Sequence, residues 1–307
     1  MDLRSIELFV DVMKHSSFAN VARIRNVDPS LVSRTIKKLE LELGFRLFQR
    51  TTRRLAPTEA GQSYFNQVNE LVDGLLVAGE QASDLSNQPI GTLRVTSCTS
   101  FGQKMLVPIL SIMRKKYPKL AMELILTDNQ IDIVEQKINV AIRFGKKKPS
   151  ADFVYTELAP RAFKVCASPE FVKMNNITDD PNCISELDCL RFSLPGYRDY
   201  WKFRQPNREE FKVPVSGNIL ISHGMTMTAS AVANLGIALL PDWLCRDEIA
   251  NGQLIDLFPE YECAASDFDT SMWLVYPANN YIPLKLSVFV DCLREQVPEI
   301  IADGKWS

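Results

Sequence analysis

Four groups of residues in this 307-residue sequence carry side chains with chemistry to offer. The first is Pro29-Ser30-Leu31-Val32-Ser33-Arg34, followed by Lys37 and Lys38. Arginine can grip guanine through two parallel bonds, serine can bond several base edges, and lysine suits phosphate oxygens. The second is Arg50-Thr51-Thr52-Arg53-Arg54, a run of cations and hydroxyls suited to a nucleic-acid backbone or minor groove. The third is Ser97-Cys98-Thr99-Ser100-Phe101, which joins a strand-like run to a helix-like one. Exposed N–H groups and hydroxyls at a helix start suit a carboxylate or another anion. The fourth pairs Arg143, ending Val140-Ala141-Ile142-Arg143, with Ser222-His223-Gly224-Met225 ahead of a second helix. A guanidinium there could add a charge-assisted bond.

Other chemistries are poorly supplied. His15 and His223 are the only histidines, which disfavours a multi-histidine metal site or a histidine-dependent triad. Dinucleotide, P-loop, nucleophile-elbow and HExxH motifs are missing, and no cofactor or metal is expected. The seven cysteines, at 98, 166, 183, 189, 245, 263 and 292, contain no CxxC, so neither a zinc ribbon nor a disulfide framework is indicated. Two thiol readings stay open as alternatives: Cys98 at a helix start, where a lowered pKa would make it reactive, and Cys183 with Cys189 as a redox pair. No apolar run approaches the roughly 18 residues of a membrane span, and Glu7 and Asp11 interrupt the first apolar stretch, so a cytoplasmic protein without membrane contact is expected.

The elements that must position these residues follow from capping signals and periodicity. The net charge of −2 hides a split, because residues 1–60 hold 11 basic and 7 acidic side chains and the remainder is acidic. Leu3, Ile6, Phe9, Val10 and Met13 predict a first helix. Ser16-Ser17 starts a second with Phe18, Val21, Ala22 and Ile24. After Arg25-Asn26-Val27, Asp28 caps a third with Pro29 at its first position and Gly44 at its stop. Leu31, Val32, Ile36, Leu39 and Leu43 are expected to face inward, with Ser30, Ser33 and Arg34 outward. This is a helix-turn-helix whose second helix enters a major groove. Residues 45–57 form a basic two-strand wing beside it. From Thr58, positions Tyr64, Val68, Leu71, Leu75, Ala78, Ala82 and Leu85 step by fours and threes, a heptad seam that buries against another helix.

Within residues 3–64 the segment FANVARIRNVDPSLVSRTIKKLELELGFRLFQRTTRRLAPTEAG resembles the winged helix-turn-helix of LysR-type transcriptional regulators. VSR-x-I-xx-LE-xx-LG, RLF-x-R-TTRR-L and PTEAG occur in order, with Asp28 where the family often has Ser or Thr. More loosely, GTLRVTSCTSFG and GIALLPDWL are similar to the LysR effector-binding domain, which resembles type 2 periplasmic binding proteins. The resemblance implies an α+β multidomain chain: a winged helix-turn-helix over 1–59 (helix-turn-helix about 19–38), a linker and dimerisation helix over 58–88, and a two-lobed α/β effector domain over 91–300. Lobe I would comprise 91–164 and 268–300, and lobe II 165–267.

What the family implies is base readout by Pro29, Ser30, Ser33 and Arg34 and wing contact by Arg50 through Arg54, with Lys37 further along the helix expected to meet phosphates. Effector contact falls to Ser97, Cys98, Thr99, Ser100, Phe101, Arg143, His223 and Gly224. The implied partners are double-stranded promoter DNA, a small anionic effector, RNA polymerase and further copies of the chain, as a homodimer through the linker helix and a homotetramer. A solute-binding protein or an enzyme on the same two-lobed fold is the remaining alternative.

Strands are expected at 91–98, 120–126, 139–143, 163–167, 190–193, 213–219, 236–240 and 270–276. Helices are expected at 101–117, 225–235 and 283–295, in a parallel α/β arrangement.

Overall fold

The computed structural model describes residues 2–49, 55–85, 88–147, 150–160, 162–194, 196–205, 208–278 and 281–303. The chain divides into two compact units, one dominated by residues 1–89 and the other by residues 90–133, 138–279 and 285–307. Among the described residues no helix is long and apolar enough to cross a membrane.

In the first unit, α1 (Leu3–His15), α2 (Phe18–Arg25) and α3 (Pro29–Leu43) begin and end where their caps dictate. Asp2, Ser17 and Asp28 each accept a backbone N–H of the first turn, at 2.7, 3.2 and 2.7 Å. These bonds satisfy donors that a helix start otherwise leaves orphaned. Asn26 and Gly44, both at positive φ, end α2 and α3. Phe9, Val12, Val21, Val32, Ile36, Leu39 and Leu47 make the core. Leu31 corrects the expected packing: it is 46% exposed. The stripe 32, 36, 39 fits one helix face, and residue 31 lies about 100° away from Val32 around the axis.

The short strands β1 (Phe48–Gln49) and β2 (Ala56–Pro57) pair antiparallel. Residues 50–54, which include every basic residue of the expected wing tip, lie outside the described residues. The base of the wing is anchored by Glu40, whose Oε1 accepts the Leu47 and Phe48 N–H groups at 2.7 and 3.2 Å. Glu40→Ala strands both donors in a part-buried setting. An expected loss of about 1–3 kcal/mol follows, read as an earlier thermal transition of this unit. An unchanged transition would show that water replaces the carboxylate.

The 26-residue helix α4 (Glu59–Asp84) follows, capped by Thr58, whose Oγ1 accepts the Gly61 N–H at 2.9 Å. The expected seam divides in two. Tyr64, Phe65, Val68 and Val72 pack on the head's own core. Leu71, Leu75 and Leu85 are 65%, 57% and 87% exposed.

In the second unit the chain runs β3 (Gly91–Ser97), α5 (Thr99–Phe101), a π-turn over Gly102–Leu106, α6 (Val107–Lys116), β4 (Leu120–Leu126), β5 (Val140–Gly145) and β6 (Phe153–Pro160). It continues through β7 (Phe163–Ala167), α7 (Pro169–Asn175), β8 (Cys189–Phe192), β9 (Tyr200–Arg204), β10 (Phe211–Pro214), β11 (Leu220–Ile221) and α8 (Gly224–Val232). Last come β12 (Ile237–Pro241), α9 (Asp242–Ala250), β13 (Ile255–Asp256), β14 (Glu262–Ala264), β15 (Ser271–Pro277) and α10 (Leu284–Asp303).

One sheet has the order β4-β3-β5-β15-β6, the other β10-β9-β14-β7-β12-β8-β11 with β13 also pairing β7. Strand β15 returns to the first sheet from far along the chain, as expected, but antiparallel to both neighbours, so that sheet is mixed. The expected strand 213–219 resolves into β10 and β11, separated by a break at Gly217. The closing helix runs on through Pro298 to Asp303.

Candidate functional site

The recognition-helix end is built by the caps around it. Asp28 closes the first turn of α3, and hydrogen bonds from Ser30 hold its carboxyl below the ordinary aspartate range. Arg34 folds back along the helix, with Nε donating to the Ser30 carbonyl and Nη2 to Ser30 Oγ, each at 3.2 Å. Pro29, Ser30, Ser33, Arg34 and Lys37 are all exposed on this helix. Arg25, one of the cations behind the positive count, is committed to the fold instead, gripping Asp11 at 2.5 Å and Glu7 at 3.4 Å.

In the second unit, β3 and β5 run parallel, with Thr96 opposite Ala141. Their carboxyl ends therefore leave the sheet on one side, where ligands of open α/β sheets bind, with Cys98 just past β3. Strand β5 runs on to Gly145, so Arg143 lies within the strand, two residues before its end, and does not end it as expected. Ser97 is fully buried, and its hydroxyl donates to the Cys98 carbonyl. Thr99 Oγ1 donates to Asp128 at 3.0 Å. Ser100 reaches the other sheet's helix α8 and accepts the Met225 N–H at 3.2 Å. A Cβ on Gly224 would stand 2.9 Å from Ser100 Oγ and 2.8 Å from a Leu244 methyl, so the two segments approach closely and a larger residue there would make both side chains shift. His223 caps α8, its Nδ1 accepting the Thr226 N–H.

Phe101 does not offer its ring to a ligand. It is fully buried and packs edge-on against Phe144 and Trp243, each at 5.7 Å. Phe144 in turn stacks on Trp243. This aromatic wall and the Lys104 ion pairs with Asp247 and Glu248 hold the two lobes together.

Arg143 is half-buried, and burial pushes its guanidinium below the ordinary arginine value, opposed by the nearby Cys98 and Tyr155. Its Nη2 donates to the Ile131 carbonyl at 3.3 Å, and it has no acidic partner among the described residues. Arginine stays charged even so, which leaves a partly desolvated cation uncompensated. Strand alternation puts Arg143 on the Ala141 face and Phe144 on the opposite one.

Sequence reasoning passed over Asp128 and Trp243. Asp128 gave no local signal, since it follows β4, about 30 residues from its partner. Trp243 was visible within GIALLPDWL, but its buried Nε1, left without a hydrogen-bond partner among the described residues, is a property of packing.

Among the described residues no disulfide links the cysteines. Cys183 and Cys189 are free, and burial pushes Cys189 up to about 12. Cys166 and Cys245 approach to 3.9 Å, and that hydrogen bond, with burial, pushes the Cys166 thiol strongly up. A surface hollow of about 400 Å³ between Asn175 and Leu187 includes Cys183 and none of the expected effector residues.

A capped helix-turn-helix with an exposed Ser/Arg reading edge, joined by a long helix to a two-lobed α/β module, defines a DNA-binding regulator with a ligand-sensing domain. Comparison with known proteins places it more closely. Residues 3–62 match the bacterial regulatory helix-turn-helix of the lysR family, and residues 86–298 match the LysR substrate binding domain. The chain belongs to the LysR family of transcriptional regulators. It is 30% identical over 292 residues to the regulator CrgA of Neisseria meningitidis, covering 95% of this chain and 96% of that one. It is 27% identical over 300 residues to the probable regulator LtrA of Klebsiella pneumoniae, covering 98% and 96%. The solved structure of CrgA superposes with a TM-score of 0.60 at 27% identity, covering 97% of this chain and 99% of CrgA.

Proposed function

We propose that the chain reads pseudo-palindromic promoter DNA as an oligomer and adjusts that reading to a small anionic effector. The observation that carries the DNA reading is the exposed Ser30–Arg34 pair on the first turns of α3, the end that enters the groove. Pro29, Ser33 and Lys37 flank it, and Arg50 through Arg54 supply the wing contacts to the backbone. The exposed stripe Leu71, Leu75, Ala78, Ala82 and Leu85 supports pairing of two linker helices, which presents two heads to two half-sites. A homotetramer and contact with RNA polymerase extend this reading.

The effector is held near the carboxyl ends of β3 and β5, by Cys98 and Thr99 with Arg143, and beside Ser100, His223 and Gly224. Buried Ser97 and Phe101 shape the site from behind. We assign residues 1–59 to the head, 58–88 to the linker and 91–300 to the sensor, working in the cytoplasm as a regulator without turnover.

Arg34→Ala tests the base-reading role. Loss of a bidentate guanine contact is expected to cost about 1–3 kcal/mol on the specific site and little on random DNA. Arg53→Ala is expected to weaken both alike and to flatten the salt dependence of binding. Binding isotherms on specific and random duplexes at several salt concentrations separate the two. Equal losses on both duplexes for Arg34→Ala would remove the base-reading role.

A further inference from the structure

We infer that Leu31 is a base-reading residue, making an apolar contact with the 5-methyl group of a thymine in each half-site. The inference rests on the DNA-reading role proposed for α3. Leu31 sits in the first turn of α3, its N–H donating to the Asp28 carbonyl at 2.9 Å. Its side chain is not among those packed on the head's core: the core stripe of this helix is Val32, Ile36 and Leu39, and Leu31 is 46% exposed.

Its neighbours are the polar reading groups. Ser30 precedes it, and Arg34 lies about 60° away around the helix and one turn on. Arg34 and Ser30 are tied together by two hydrogen bonds, so the polar half of this edge is held in place beside the leucine. Another large exposed apolar residue of α3, Leu41, lies almost three turns further along, beyond the end that enters a groove.

An isolated exposed leucine is ordinary on a protein surface. Here it continues an edge of hydrogen-bonding side chains, and the major groove has one apolar feature to match it. The thymine 5-methyl is that feature, and apolar side chains read it by contact. The same edge thus holds an arginine suited to guanine and a leucine suited to thymine, two chemistries that separate a G·C pair from a T·A pair.

The test uses the full-length protein and a duplex site selected from a random oligonucleotide pool. Each thymine of the half-site is replaced in turn by deoxyuridine, which lacks only the methyl. One position is expected to weaken wild-type binding about four-fold, the effect of burying one methyl group. Leu31→Ala should bind the thymine and uracil duplexes equally, and Leu31→Met should restore part of the difference. The side chain is exposed, so circular dichroism and the thermal transition should be unchanged in both variants.

If the wild type prefers its selected site over random DNA but is indifferent to uracil at every position, the thymine contact is overturned and DNA reading stands. A uracil penalty that persists in Leu31→Ala overturns it as well. Failure to discriminate the selected site from random DNA overturns the DNA-reading role itself.

Discussion

Gly61→Ala is expected to lower the thermal transition of the DNA-binding head by about 5–15 °C, from a net loss on the order of 2 kcal/mol. A Cβ at this position would stand 2.1 Å from the Leu47 carbonyl oxygen and 2.9 Å from its carbon. Neither side can yield cheaply. The Leu47 side chain is fully buried in the head's core, and its N–H is held by Glu40 at 2.7 Å. Thr58 binds the same stretch from the other side, its N–H donating to the Leu47 carbonyl at 2.9 Å and its hydroxyl to the Arg46 carbonyl at 2.6 Å. The first turn of α4 and the start of the wing are therefore locked at backbone contact.

Alanine's helix propensity offsets only about 1 kcal/mol of the overlap, so the clash wins. At Gly74 and Gly79, further along the same helix, an added Cβ would meet nothing within 4 Å. Gly74→Ala or Gly79→Ala should instead stabilise α4 by about 0.5–1 kcal/mol. Thermal melts of the three variants decide the matter, and a Gly61→Ala head as stable as the parent would show that the wing can shift away. Because the wing is displaced along with α4, DNA affinity is expected to fall in step with the melt.

The start of α4 is only partly legible in the sequence. PTEAG was legible as a helix start, since Thr58 is a cap and Glu59 follows it. The reason for its glycine was not, because the partner carbonyl comes from Leu47, 14 residues upstream, and depends on how the wing folds back. The three helices of the head were legible because Ser17, Asp28 and Gly44 act within a few residues of themselves. Leu31 was misplaced because an apolar residue next to the stripe looks the same in a sequence whether it turns in or out.

In the sensor, β3, β4 and β5 could be recognised from local apolar runs, whereas β6 and β14 could not. Strand β6, Phe153–Pro160, is stabilised by pairing with β15, more than a hundred residues later. Strand β14 is three residues long and pairs with β7 and β9. The linker seam was legible as a repeat, but its division was not: Tyr64 and Val68 find the head's own core, and only the later positions remain exposed. Arg143 was visible as a cation near the end of a strand, which runs two residues further than its apolar run suggests. Its lack of an acidic neighbour among the described residues is a fact about three-dimensional surroundings.

That missing neighbour leads to the second large effect. Arg143→Gln is expected to weaken effector binding by about 10- to 150-fold, the range of a charge-assisted hydrogen bond worth roughly 1.5–3 kcal/mol. The guanidinium bears a desolvation cost against its bond to the Ile131 carbonyl. A carboxylate or phosphate group at the β3–β5 edge would supply the missing charge and a matching pair of acceptors. Arg143→Lys should fall between the parent and Arg143→Gln, because it keeps the charge and loses the planar fork.

Without ligand, Arg143→Gln should be at least as stable as the parent, since the buried charge is gone and no ion pair among the described residues is broken. This separates a ligand-binding role from a structural one, which would lower stability instead. The measurement is the thermal shift produced by a panel of small mono- and dicarboxylates and their uncharged amides. A shift grows with the logarithm of ligand over dissociation constant, so it should appear with an acid, vanish with its amide and shrink in Arg143→Gln. DNA binding in the absence of ligand should be the same in all three proteins. An acid that shifts parent and Arg143→Gln equally would take Arg143 out of the site, and a shift produced only by the amides would remove the anionic effector.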